Sequence, residues 1–327
     1  MTATALITGV GGQDGVHLAR RLLAAGQRVV GTVQPGIPVG LLPYLDGVEI
    51  VEHDLTDTDG FAGLVDRHDP ATIYNLASFT SVHASWSNQD EVFAVNSDAV
   101  VRMLDVLAGS SRRFFHASSS EIFGPGAANP QTESTPLNPG NPYGESKARA
   151  HEAVAAARAA GLFASTGILY SHESPLRGEQ FVTRKITKAA VEIAAGKRDV
   201  LTLGNLDVSR DWGAASDFVE AMQLVTDHDK PGDFIIATGT SHSLRSFVEL
   251  VFELAGINDA WSHIEQDEAL LRPVDQPGLV GDPSHARATL GWEASTSFEA
   301  LVHLMVSADQ RRLASGVDES ADYLSDV

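Results

Sequence analysis

At 327 residues the chain is too long for one small core and suits two units, and a hydrophobic content of 43% with scattered charge describes a globular protein. A formal net charge of −20 argues against nucleic acid and anionic membrane as partners. The chain has no cysteine, which excludes a disulfide framework, a thiolate nucleophile and a Cys-zinc site; no two of its 12 histidines stand at helical-neighbour spacing, so no metal is expected.

The start, Met1-Thr2-Ala3-Thr4, lacks the basic flank of a signal peptide. Thr4 to Thr8 reads as a short buried strand, followed by Gly9-Val10-Gly11-Gly12-Gln13-Asp14-Gly15 and the helical pattern Val16, Ala19, Leu22, Leu23. Gly9, Gly12 and Gly15 give a tight turn, close backbone approach to a diphosphate, and close packing of a helix whose N-terminus faces negative charge. Arg28 to Val33 is the second strand, and its end, Gly31-Thr32-Val33-Gln34-Pro35, carries neither the acid expected for NAD nor the Arg expected for NADP. Pro35, Pro38 and Pro43 interrupt the uncharged run from Val29 to Leu45, so it is no membrane helix, and the expected location is the cytoplasm. Val48 to Val51 is a strand ending in His53-Asp54-Leu55, Phe61 to Arg67 a short helix, Thr72 to Ala77 a strand, and Asp90 to Leu107 a helix.

The aromatic run of Phe114 to Ala117 is a buried strand that delivers Ser119, Ser120 and Glu121 at its C-terminal edge, where open α/β sheets keep their chemistry. After a Pro/Gly/Asn-rich loop comes Asn141-Pro142-Tyr143-Gly144-Glu145-Ser146-Lys147. Tyr143 and Lys147 are four apart and share one helical face, and a cation held beside a phenol favours the phenolate, bringing proton abstraction within reach of neutral pH. Alone, a Tyr-x-x-x-Lys is usually a surface pair; next to Ser119 and Glu121 it reads as a catalytic cluster.

Glu145 to Ala160 is an Ala-rich helix and Phe163 to Leu169 a strand. This alternation predicts an α/β fold, a doubly wound parallel sheet of the Rossmann type, with a smaller mixed α/β C-terminal lobe. Beyond Tyr170 helices are expected at Arg184 to Ala195, Ser216 to Thr226, Leu244 to Ala255 and Ser297 to Ala308, and a strand at Phe234 to Ala237 rejoins the main sheet. Residues 1–169, joined by 211–240, thus form a dinucleotide-binding domain, and 170–210 with 241–327 a second lobe. Arg177, Arg184, Lys185, Lys188, Lys197, Arg198 and Arg210 crowd into one stretch of an acidic chain, which favours a phosphate-binding lobe over a solvated face. The acidic tail Gly316 to Val327 is expected to be loose.

The glycine turn, Asn75-Leu76-Ala77, Ser119 with Glu121, and Tyr143-x-x-x-Lys147 resemble the extended short-chain dehydrogenase/reductase superfamily. Gly12-Gln13-Asp14-Gly15, His172-Glu173-Ser174-Pro175, Phe181-Val182-Thr183-Arg184-Lys185 and Arg210-Asp211-Trp212-Gly213 resemble, within it, the GDP-mannose 4,6-dehydratase family, over nearly the whole chain. The resemblance implies that Tyr143 takes the C4 hydroxyl proton of a GDP-sugar, that Ser119 hydrogen-bonds the C4 oxygen, that Glu121 removes the C5 proton and helps water leave from C6, and that Lys147 holds the nicotinamide ribose and lowers the Tyr143 pKa. It implies cofactor contacts at Gly9, Gly12, Gln13, Asp14, Gly15, Asp54, Leu55, Leu76, Ala77, Tyr143 and Lys147, and substrate contacts at Thr80, Ser120, Ser171, Arg177, Val182, Lys185, Arg210 and Arg272. Ser171, Ser78, Phe79 and Leu176 depart from the family pattern, which leaves another nucleotide sugar, such as a GDP-heptose, open as substrate of a dehydratase, epimerase or reductase. NADP is the cofactor by resemblance, with NAD as its rival because Val33 and Gln34 stand where an Arg pair is usual; the same loss favours a homodimer over a tetramer.

Overall fold

The fold is described from a computed structural model, over residues 3–37, 39–270 and 278–324. Strands β1 (Thr4–Thr8), β2 (Arg28–Val33), β3 (Glu49–Glu52), β4 (Thr72–Asn75), β5 (Arg113–Ser119) and β6 (Phe163–Leu169) alternate with helices α1 (Gln13–Ala24), α2 (Thr58–His68), α3 (Val82–Ser85), α4 (Gln89–Phe93), α5 (Ala99–Leu107) and α6 (Pro142–Ala159). Strand β7 (Ser171–Glu173), helix α7 (Val182–Ala194), strands β8 (Leu201–Leu203), β9 (Ser209–Arg210) and β10 (Trp212–Ala214), and helix α8 (Ala215–Asp227) follow. Strand β11 (Asp233–Ile236) then completes the main sheet, whose seven strands run parallel in the order β11-β6-β5-β4-β1-β2-β3.

From β1 the chain winds outward through β2 and β3, then returns to the other side of β1 for β4, β5 and β6. The reversal lies between β1 and β4, and a crevice opens at the carboxyl ends of strands on either side of such a point. Leu18, Leu22, Met222 and Val225 from α1 and α8 pack on one sheet face. Phe61, Val100, Met103 and Val154 from α2, α5 and α6 pack on the other. The sheet is therefore buried on both faces, which is why its strands read as apolar runs.

Strand β12 (His242–Ser243), helix α9 (Leu244–Leu254), strands β13 (Ile264–Gln266) and β14 (Gly278–Leu279), and helices α10 (Ser284–Leu290) and α11 (Phe298–Ser315) follow in chain order. Helices α7, α9 and α11 share a separate apolar cluster that includes Ile186, Phe247, Val251, Val302 and Met305. Strand β9 lies between β12 and β14, β8 pairs with β13, and β7 pairs with β10. Among the described residues no helix is long and apolar enough to cross a membrane.

Several expectations are corrected. The helix expected from Asp90 to Leu107 is interrupted by a π turn at Ala94–Asp98, which turns the buried Asn96 and Ser97 inward; such turns cluster at functional sites. The strand expected to reach Ala77 ends at Asn75. The tail expected to be loose is packed: Tyr44 donates to Glu319 Oε2 at 2.7 Å, Arg312 donates to the same oxygen at 3.0 Å, and Tyr323 and Leu324 are buried. The Glu319 carboxylate is therefore partnered, and Tyr323 and Leu324 have a core to join, while Val317 stays exposed.

Candidate active site

The turn between β1 and α1 is shaped by its glycines. Gly9 has φ +73°, and a Cβ there would lie 2.8 Å from Ala77 Cα; a Cβ on Gly15 would lie 2.5 Å from Gly9 O. Gly12 occupies the N-cap of α1 without a capping side chain, so the first-turn amides point free of side-chain partners toward the crevice. The backbone has been stripped to the minimum at the point where a diphosphate must approach a helix N-terminus, and the residues present fit a dinucleotide. A cavity of about 660 Å³ opens here, lined by Gly9, Gly12, Gln13, Asp14, Gly15, Leu76, Thr80 and Arg177 among others.

Beside it, β5 and α6 bring the four expected catalytic side chains together. Ser119 caps the short turn Ser120–Ile122, accepting from Glu121 N at 3.3 Å, and its hydroxyl also hydrogen-bonds Tyr143. Asn141 Nδ2 donates to Glu121 Oε2 at 2.9 Å, and its Oδ1 caps α6 by accepting from Gly144 N at 2.8 Å. Gly144 is required by this packing, since a Cβ there would lie 2.6 Å from Glu121 O. Lys147 is buried, donates to Ala117 O at 2.9 Å, and holds its ammonium 5.9 Å from the centre of the Tyr143 ring.

The electrostatics correct one expectation. Burial pushes the Tyr143 phenol up to about 12; the Ser119 hydrogen bond opposes this and the Glu121 carboxylate adds to it. The cation that opposes burial most is Arg177. Burial without an anionic partner pushes the Lys147 ammonium down to about 7, so this cation is itself easily discharged.

A second polar group joins the glycine turn to the segment after β7. His172 Nε2 lies 2.8 Å from Asp14 Oδ2, and His172 Nδ1 lies 2.7 Å from Tyr170 O, so both ring nitrogens face acceptors. Gln13 Nε2 donates to His172 O at 3.2 Å, and Ser174 Oγ donates to Gln13 Oε1 at 2.9 Å. Burial alone would push the imidazole down, but the Asp14 charge and hydrogen bond, with the Tyr170 carbonyl, raise its pKa above the ordinary value. Burial would likewise raise Asp14; the His172 charge and hydrogen bonds from His172 and Gln13 hold it at about 2.

The cation-rich stretch is mostly internal structure. Arg177 lies 3.0 Å from Glu173, Arg184 lies 2.8 Å from Asp309, and Lys188 and Arg198 each lie 2.7 Å from an acid, Glu179 and Glu192. Lys185 donates to Thr202 O at 2.7 Å and Arg210 to Ser209 O at 2.8 Å. Arg177, Arg184, Lys188 and Lys197 nevertheless line the cavity, the first three of them held by these acids. Arg177 still faces the cavity and stacks 3.6 Å over the Phe181 ring.

The remaining expected positions are dispersed. Exposed Asp54 closes its own turn by accepting from Thr56, and Leu55 follows it; Ser120 is buried in the turn after β5. Ser171 lies in β7, Val182 begins α7, and Arg272 falls outside the described residues. Asn141 and Asn96 were missed. Asn96 accepts from Phe79 N at 2.7 Å and donates to Phe79 O at 3.0 Å and Ser146 Oγ at 3.2 Å, tying the loop after β4 to α6. Asn141 had a local signal, an Asx-Pro pair ahead of a helix; Asn96 had none, because a π turn leaves no mark in periodicity.

A family model described as GDP-mannose 4,6 dehydratase matches residues 6–305. The chain is 39% identical to GDP-mannose 4,6 dehydratase 2 of Arabidopsis thaliana, covering 93% of this chain and 86% of the relative. It is also 39% identical to a GDP-mannose 4,6-dehydratase of Sinorhizobium fredii, covering 93% and 96%. Among solved structures the fold matches dTDP-glucose 4,6-dehydratase of Bacillus anthracis in complex with NAD, with TM-score 0.84, 18% identity and coverage of 96% and 98%. It matches RMD of Pseudomonas aeruginosa complexed with NADPH with TM-score 0.81, 22% identity and coverage of 95% and 100%.

Proposed function

The chain belongs to the GDP-mannose 4,6-dehydratase family, and we propose how its residues carry out the reaction that membership gives it, the conversion of GDP-mannose to GDP-4-keto-6-deoxymannose with loss of water. A nicotinamide dinucleotide bound at the glycine turn would supply the reversible redox chemistry, with no net oxidation of the sugar. Tyr143 reacts as the phenolate, accepting the proton of the C4 hydroxyl, while Ser119 beside it orients the C4 oxygen. Glu121 then removes the proton at C5, which the new C4 carbonyl has made acidic, and delivers it to the departing C6 hydroxyl. The C5 proton leaves with the water, and Tyr143 returns the C4 hydroxyl proton to C5. Arg177 faces the diphosphate side of the cavity, and Lys185, Arg210 and Arg272 serve the nucleotide.

The observation that carries this reading is the Asn141–Glu121 contact beside the Ser119–Tyr143 pair, which sets a fixed carboxylate next to the phenol. A relative that only oxidises, reduces or epimerises at C4 has no use for a base at C5. Run in deuterated water, turnover of GDP-mannose should place deuterium at C5 without net consumption of added dinucleotide. Glu121→Gln should accumulate reduced dinucleotide and stall, whereas Tyr143→Phe should stop before reduction. Protium retained at C5 in the product would remove the elimination mechanism.

NADP is the cofactor by family resemblance, with NAD its rival because Val33 ends β2 and Gln34 follows it. Residues 1–169 with 211–240 hold the dinucleotide, and 170–210 with 241–327 the nucleotide sugar. The protein works in the cytoplasm as a homodimer through α4, α5 and α6.

A further inference from the structure

Asp14 presents a difficulty for the dinucleotide cradle. It is the second residue of α1, in the first turn, where the helix offers its amides and the positive end of its dipole to a diphosphate. A carboxylate there repels the ligand that the glycines around it are shaped to admit. The side chain lines the cavity and is the one acid in that helix's first turn.

We propose that His172 is a built-in counter-ion for Asp14, a positioning residue that cancels this carboxylate so the turn can take a diphosphate, and that the same contact fixes the substrate-side segment against the dinucleotide turn. The reading rests on dinucleotide binding at the glycine turn and extends it. Three features of the geometry support it. His172 Nε2 lies 2.8 Å from Asp14 Oδ2 and Nδ1 lies 2.7 Å from Tyr170 O. A ring between two acceptors satisfies both only as the imidazolium. The ring is stacked on Phe218 at 4.6 Å between centroids, which prevents it from turning away. Finally, Gln13 beside Asp14 bonds both the His172 carbonyl and Ser174, so the pairing is one strut of a double tie across 158 positions of sequence.

The charged groups that face His172 are Asp14 and His17 from α1, and Glu173 and Arg177 from its own segment; Arg20 acts on His17. His17 is buried and held down at about 4 by burial, so it stays neutral and does not substitute for His172. Arg177 is paired with Glu173 at 3.0 Å. The sign of the pH effect follows. A histidine with a raised pKa carries its charge below that value and loses it as pH rises through it. The turn is therefore neutral at Asp14 in the lower range and anionic above it, and dinucleotide affinity should fall on the alkaline side.

The test is equilibrium binding of NADH and NADPH, followed by fluorescence from about pH 6 to pH 9 without any sugar, so that its outcome is independent of the substrate assignment. The wild type should weaken about fivefold to tenfold over that range. His172→Gln should bind weakly at every pH, as the alkaline wild type does, and Asp14→Asn should lose the alkaline decline. The double variant Asp14→Asn/His172→Gln should recover the affinity that His172→Gln lost, a recovery that a merely structural role for the histidine would not give. Thermal melting identifies a variant that fails to fold; in that event, titration of the His172 ring by nuclear magnetic resonance in the wild type decides, with a pKa above the ordinary imidazole value expected. Wild-type affinity in His172→Gln, an unchanged alkaline decline in Asp14→Asn, or a His172 ring that titrates at or below its ordinary value would each overturn the proposal.

Discussion

Asn141 holds the Glu121 carboxylate at 2.9 Å with one end of its amide and caps the helix carrying Tyr143 with the other. The acid and the phenol are thus referenced to one side chain. Asn141→Ala should lose about 1 kcal/mol of stability from the cap and lower turnover more than it raises KM. Asn141→Asp keeps a capping oxygen but sets a like charge against Glu121, so its turnover should fall further while its melting point falls less. Thermal melts and steady-state kinetics on the two variants separate the roles.

Gly144→Ala should be more damaging than a helix substitution of Gly by Ala usually is. The added carbon would lie 2.6 Å from the Glu121 carbonyl oxygen, so the first turn of α6 must move away from Glu121. A loss of about 1–3 kcal/mol is expected where overpacking forces backbone shifts, against the gain that Ala brings to an unconstrained helix. Denaturant unfolding measures the sign directly.

Lys147 gives a pH signature in stability. Burial lowers its folded pKa to about 7 while the unfolded chain keeps the ordinary value, so between those values the unfolded state binds the extra proton and stability rises with pH. Lys147→Met removes a buried cation and should abolish catalysis, yet should raise the melting point, most at pH 6 and least at pH 10. At this chain length each kcal/mol corresponds to about 2–4 °C. A benefit that grew toward alkaline pH would show that the ammonium is not penalised by burial.

The end of β2 offers no arginine to a 2′-phosphate, so discrimination between the two dinucleotides should be weak. Gln34→Arg should tighten NADPH about tenfold while changing NADH little, as a charge-assisted contact to a phosphate would. Native mass spectrometry of the wild type reports the retained dinucleotide and the subunit count together. Tightly held NADP in a tetramer would show that the arginines absent here are dispensable.

What was legible in the sequence is what local spacing encodes. Gly9, Gly12 and Gly15 fall within one turn, and Tyr143 and Lys147 within one helical face, so periodicity and chirality alone placed them. What was hidden depended on distant partners. Asp14 and His172 are brought together only by the order of the sheet, and Arg184 reads as a ligand-seeking cation until Asp309 is folded against it. The shifted pKa values were misjudged for the same cause: a neighbouring cation can be read four residues away, but desolvation is a property of the finished interior, and here it governs both Tyr143 and Lys147.

Leu324 is buried in the same apolar cluster as Ala5, Val29 and Tyr44. The sheet is laid down from the first strand onward, yet this part of its interior is completed by a residue synthesised more than 300 positions after Ala5. A nascent chain on the ribosome therefore leaves this part of the apolar surface uncovered until Tyr323 and Leu324 have emerged, long after the glycine turn has been made.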